Sequence, residues 1–143
     1  MPLLDLPITH QRADHDCGAA VYACVTAYWE GRGRRIKSHP IHGTPPDHLE
    51  PAFRAAGYMV LSGELDTGAL RVLTGYGWPV CCLVQFDGVG HWVVVRGVQR
   101  GRVYLMDPAI GLRSVPLADW ERDWHDADRR GTIYHRHGIA VWC

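Results

Sequence analysis

Gln11 and Cys17 bracket the stretch Gln-Arg-Ala-Asp-His-Asp-Cys-Gly, and a helical pattern begins at once after it. A cysteine in the first turn of a helix meets unpaired backbone N–H groups and the positive end of the dipole, which together favour a thiolate. The side-chain amide of Gln11, a few residues upstream, is placed to help hold a developing oxyanion. Farther along, His91 opens a strand-like run and Asp107 closes the next. A thiol nucleophile, an imidazole to move its proton and a carboxylate to orient the imidazole form the constellation of a cysteine hydrolase. Each also has a plainer reading: a cysteine is most often an inert small hydrophobe, a lone histidine can satisfy a strand end, and Asp-Pro is an ordinary turn.

The elements that must position these residues can be read from the pattern. Val21, Cys24, Val25 and Tyr28 follow helical spacing, so a helix is expected from Cys17 to about Glu30, with Asp16 as its N-cap and Gly31 as its stop. Residues 31–46 read as a loop. Asp47 and Glu50 resemble a capping box before Leu49, Ala52, Phe53 and Ala56, although Pro51 moves the expected helix start towards Glu50. A short third helix is expected from Thr67 to Leu73. Continuous apolar runs then follow at Pro79 to Phe86, Trp92 to Val98 and Val103 to Met106, separated by Asp87-Gly88 and Gln99-Arg100-Gly101. Those are strands of an antiparallel meander. Asp119 to Trp124 is expected to form one helical turn, and residues 132–142 a final strand or hairpin. Helices first and strands second predict an α+β fold, with N-terminal helices packed on a C-terminal antiparallel sheet.

Composition narrows the function. The 143 residues suit a single domain spanning 1–143, and 47% hydrophobic residues suffice for a core. A formal net charge of zero argues against nucleic acid as a partner. No apolar run approaches membrane-spanning length, so direct membrane insertion is not expected, and the N-terminus lacks the basic and apolar regions of a signal peptide. These absences point to the cytoplasm. Five cysteines, two of them adjacent, favour reduced thiols. Cys24, Cys81 and Cys82 fall in apolar patterns and read as core. His39, His42 and His48 share one loop and could hold a metal, but no ligand spacing supports it, so neither metal nor cofactor is expected. Arg32, Arg34, Arg35 and Lys37 read as a solvated basic loop that could also guide an acidic peptide. No phosphate-binding Gly-Lys-Ser/Thr loop occurs.

Three segments together carry a resemblance: Gln11-Arg-Ala-Asp-His-Asp-Cys17-Gly-Ala-Ala, Gly90-His91-Trp-Val-Val-Val and Val103-Tyr-Leu-Met-Asp107-Pro108. In order and spacing they resemble the bacteriocin-processing, double-glycine leader peptidases, a group of papain-like cysteine peptidases. Gly43-Thr44-Pro45 before the second helix and Leu117 to Trp124 resemble the same family. The resemblance implies a papain-like fold with Cys17 as nucleophile, His91 as general base, Asp107 as its orienting carboxylate and Gln11 at the oxyanion. It implies cleavage of a leader peptide after a Gly-Gly type pair, with a membrane exporter as partner. This sequence carries no exporter segments, so a stand-alone peptidase beside a separate exporter is expected. Two other classes fit the same residues: a peptide-binding module with little turnover, and another acyl-transfer enzyme such as an amidase or transpeptidase.

Overall fold

The computed structural model describes residues 2–40, 43–128 and 130–143. Its centre is a six-stranded antiparallel sheet in the order β1-β8-β2-β3-β4-β5. The strands are β1 (Met59–Glu64), β2 (Val80–Phe86), β3 (Val89–Gln99), β4 (Arg102–Asp107), β5 (Gly111–Pro116) and β8 (His137–Trp142). A separate two-stranded ribbon joins β6 (His125–Ala127) to β7 (Ile133–His135). Four helices complete the chain: α1 (Cys17–Glu30), α2 (Pro46–Ala55), α3 (Thr67–Gly75) and α4 (Leu117–Asp123).

Alternation along the central strands explains the layering. Cys81, Leu83, Trp92, Val94 and Met106 join α1 and α2 in one core through Val21, Val25, Leu49 and Phe53. Their neighbours Val80, Cys82, Val84, Val93, Val95 and Leu105 face the opposite side, where they pack with Leu70 and Leu73 of α3 and with Trp120 and Trp124. The middle strands are therefore apolar on both faces, and each reads in sequence as an unbroken hydrophobic run. Covering both faces is what fixes β3, the strand that carries His91.

The observed fold is α+β and of the papain-like type, with several changes to the expected elements. α1 spans the expected residues and ends at Gly31 in the left-handed conformation, whose N–H reaches the Ala27 carbonyl at 2.8 Å. Asp16 occupies the N-cap position, yet its side chain makes no capping bond. The capping box of α2 does not form: Pro46 at the first helical position starts the helix early, with Pro45 as N-cap. α3 runs on through Gly75, and Asp66 caps it by accepting from the Ala69 N–H at 2.7 Å. β1 and β5 were not expected at all. Helices also lie among and after the strands, so the order is interleaved. The expected terminal hairpin is instead two strands in different sheets, β7 pairing with β6 and β8 with β1 and β2.

Candidate active site

α1 delivers Cys17 as its first residue, and the thiol is 8% exposed. The Asp16 side chain makes no capping hydrogen bond to the first-turn N–H groups. Gly18 allows this end of the helix to sit close to the sheet. A Cβ at Gly18 would fall 2.5 Å from the Thr44 Cβ and 3.3 Å from Trp92 Cδ1.

His91 comes from the β2–β3 hairpin. Asp87 and Gly88 both have positive φ, as a tight two-residue turn with right-handed twist requires, and they pair Phe86 with Val89. β3 therefore starts two residues before His91, which is its third residue. The imidazole is 6% exposed, and its Nε2 lies 2.7 Å from Asp107 Oδ1. The Cys17 thiol lies close enough to this ring to add to its charge stabilisation. With Nε2 committed to Asp107, Nδ1 is the ring atom left for sulfur. Burial opposes charge on this ring, but the bond to Asp107 and the Cys17 thiol together outweigh it and raise His91 to about 9.

Asp107 ends β4 and is fully buried. Its Oδ1 also accepts from the Ala109 N–H at 2.9 Å, while Oδ2 accepts from Arg113 Nε at 2.7 Å. Burial pushes the carboxyl up. The bonds from His91, Ala109 and Arg113 more than reverse this and hold it below the ordinary range. The turn and the orienting carboxylate are one feature here, since Asp107 uses the same oxygen for both.

Gln11 is tied to that turn as well, its backbone N–H donating to the Pro108 carbonyl at 3.0 Å. Its Nε2 donates one N–H to the Ala13 carbonyl at 3.1 Å, leaving the second available, and its Oε1 is buried without a partner. The four expected residues belong to one neighbourhood: Asp107 bonds His91, the Cys17 thiol acts on the same imidazole, and Gln11 is fastened to the turn after Asp107. Arg113 was missed, and only its place on an unrecognised edge strand could have revealed it.

A cleft of about 520 Å³ opens at Cys17, lined also by Thr44, Leu83, Gly90, Trp92, Asp126 and Tyr134. The other cysteines are remote in chemistry. Burial pushes Cys24 up to about 12, and Cys81 and Cys82 well above the ordinary thiol range. Cys143 is exposed, and none of the five is in a disulfide. Of the three loop histidines, His42 lies outside the described residues, and among those described no cluster is arranged to hold a metal. Arg32, Arg34 and Arg35 of the basic run line a separate hollow at the far end of α1 with Tyr22 and Glu30, where Arg34 pairs with Glu30 at 3.0 Å. Among the described residues no helix is long and apolar enough to cross a membrane.

The sequence model of the Peptidase C39 family matches residues 5–127. The chain belongs to that family. Two relatives named as probable functional amyloid protease FapD, from Pseudomonas fluorescens and Pseudomonas aeruginosa, are 26% and 22% identical. Each alignment covers 82% of this chain and 57% of the relative, so the chain spans little more than half the length of these curated relatives. Among solved structures, a double-glycine motif protease from an AMS/PCAT transporter, in complex with the leader peptide, superposes with a TM-score of 0.70 at 19% identity. That match covers 97% of this chain and 92% of the other. The peptidase domain of Streptococcus mutans ComA, bound to a small-molecule inhibitor, matches with a TM-score of 0.68 at 17% identity over 96% and 99%. These two likenesses concern the fold.

Proposed function

We propose that this chain is a cysteine peptidase in which Cys17, His91 and Asp107 act as a triad, and that it cleaves a leader-type peptide after a pair of small residues. The observation that carries the reading is the buried His91–Asp107 pair at 2.7 Å, on an imidazole whose charge the nearby Cys17 thiol also favours. His91 takes the thiol proton through Nδ1, and the sulfur attacks the scissile carbonyl carbon. The resulting oxyanion is met by the Cys17 backbone N–H and by the spare N–H of Gln11. As the tetrahedral species collapses, the C–N bond breaks and His91 passes its proton to the departing amine. Water, deprotonated by the same imidazole, then hydrolyses the thioester and restores the thiol.

Family membership supports the cysteine-peptidase reading. Trp92, Leu83 and Thr44 line the cleft together with Cys17, and small residues at the cut are what the family resemblance implies. The likeness to a transporter peptidase holding a leader peptide points to a secreted polypeptide as substrate and an exporter as partner. The test is incubation of the wild type and Cys17→Ala with a synthetic leader peptide containing Gly-Gly, read by mass spectrometry. Cleavage after the pair by wild type only is expected. Equal product from both proteins would sink the triad, and binding without any product would favour a peptide-binding module.

A further inference from the structure

We propose that Arg113 is a positioning residue of this site, a fixed cation that keeps the Asp107 carboxylate oriented and ionised while His91 gains and loses its proton. The inference rests on the triad reading given above and deepens it. Strand register brings the groups together: Asp107 lies opposite Gly111 and Leu105 opposite Arg113, so Arg113 and Asp107 share one face of the sheet. Phe86 and His91 fall on the same face, because Phe86 pairs with Val89 and Val84 with His91.

The contacts divide the work. Asp107 Oδ2 is held by Arg113 Nε at 2.7 Å, and Oδ1 is shared by His91 Nε2 at 2.7 Å and the Ala109 N–H at 2.9 Å. The two oxygens therefore cannot exchange places by rotation without breaking all three bonds. The Arg113 guanidinium carbon stands 5.7 Å from the Phe86 ring centre, and that ring lies 5.0 Å from the His91 ring. Phe86 is thus an apolar plate against both cations, and each is hydrogen-bonded to the same carboxylate.

The chemistry makes a second cation necessary. When His91 hands its Nδ1 proton to the leaving amine, it becomes neutral, and the fully buried carboxylate keeps its Nε2–H bond but loses that counter-charge. A guanidinium does not deprotonate under these conditions, so Arg113 compensates Asp107 at every stage of the cycle. It also shares the negative charge that would otherwise act on His91 alone. Removing it should leave the imidazolium held more tightly and therefore a poorer acid towards the amine.

The test compares Arg113→Gln, which removes the charge, with Arg113→Lys, which keeps it and loses the planar fork. Circular dichroism and thermal melting first establish that both fold. Two readouts follow: the pH profile of kcat and KM on the cleaved peptide, and the titration of the His91 ring nitrogens by NMR. For Arg113→Gln we expect kcat to fall roughly 10- to 100-fold, as for residues that orient a reacting group's partner, with KM within about twofold. The His91 midpoint and the alkaline limb should both move above the wild-type value, and Arg113→Lys should restore most of that shift. A reduced rate with an unmoved His91 midpoint, or a wild-type profile in Arg113→Gln, would overturn the proposal. NMR titration needs no substrate, so Arg113 can fail or stand separately from the cleavage reading, which Cys17→Ala decides.

Discussion

One aspartate bonds His91 and another packs against the neighbouring Gly90, and they are held in opposite ways. Asp107 is fully buried, with donors on both oxygens from His91, Ala109 and Arg113. Asp126, on the β6–β7 ribbon, is half-buried and lines the cleft. Its Oδ1 accepts from Gln85 Nε2 at 2.9 Å, while Oδ2 rests over the Cα of Gly90. An acid that must aim an imidazole is bonded on every side. Asp126, which lines the cleft, is bonded through Oδ1 and has Oδ2 packed against Gly90. On the proposed triad reading, the difference separates a group that would set the reaction from one placed to influence what enters.

Asp107→Ala should break this comparison most severely. It removes the acceptor for His91 and strands Arg113 beside an apolar face. Activity should drop about 10²- to 10⁴-fold, the range for losing an effective acid–base partner. Breaking a buried pair by deleting one member should also cost on the order of 3 kcal/mol in denaturant titration. Asp107→Asn retains an acceptor and should fall between the wild type and Asp107→Ala in both measurements. If Asp107→Ala kept near-wild-type turnover, the committed side of the site would have no chemical role.

The same commitment predicts a pH-dependent stability. His91 is raised to about 9 when folded, above its ordinary value near 6.5. The stabilisation is therefore complete below about pH 6.5 and is lost as pH rises through about 9, amounting to something on the order of 3 kcal/mol. Asp107 runs the other way. Its folded carboxyl is depressed, so its contribution is present above about pH 3.9 and is lost as pH falls through the folded value. Urea titrations between pH 6 and 10 check the first window. His91→Gln should flatten it, and an unchanged slope would mean that the His91–Asp107 bond contributes little to folding.

What was legible in the sequence follows the same contrast between groups held on all sides and groups held on one. β2, β3 and β4 lie inside the sheet with both faces covered, so each reads as a continuous apolar run. β1 and β5 are the two edges, and both were missed. In β1 only Val60 is buried, while Met59 and Leu61 face solvent, and the pairing partner β8 lies at the other end of the chain. β5 mixes Gly, Arg, Ser and Pro with two apolar residues, a composition typical of edges that resist pairing with other chains. Missing β5 also hid Arg113. The candidate positions were legible from residue type and local pattern, such as Cys17 at a helix start and Asp107 before Pro108 at a strand end.

Gly90 tests the open side directly. A Cβ there would collide with the Asp126 carboxylate, so Gly90→Ala must displace that side chain from its seat against β3. Overpacking of this kind typically costs about 1–3 kcal/mol. KM should rise while His91 still titrates as in the wild type. Adding Asp126→Ala should relieve the clash, giving a coupling energy in a double-mutant cycle larger than the error of about 0.5 kcal/mol. Additive effects would show that the ribbon is not seated on Gly90 in solution.

Asp126→Asn should give the smallest effect and the sharpest distinction. The amide is nearly isosteric, and it can keep the bond from Gln85 through its carbonyl oxygen. The change removes a charge from a wall that also carries Asp14, Asp47 and Asp128 against Arg130. For a neutral Gly-Gly peptide, kcat should stay within about twofold, because Asp126 bonds neither Cys17 nor His91. For a peptide with arginine near the cut, KM should rise several-fold, and raising salt should shrink the gap, since exposed charge pairs contribute at most about 1 kcal/mol and are screened. A fall in kcat on both peptides would instead place Asp126 with Asp107 among the groups that govern the chemistry, and the two sides of the site would no longer be distinct.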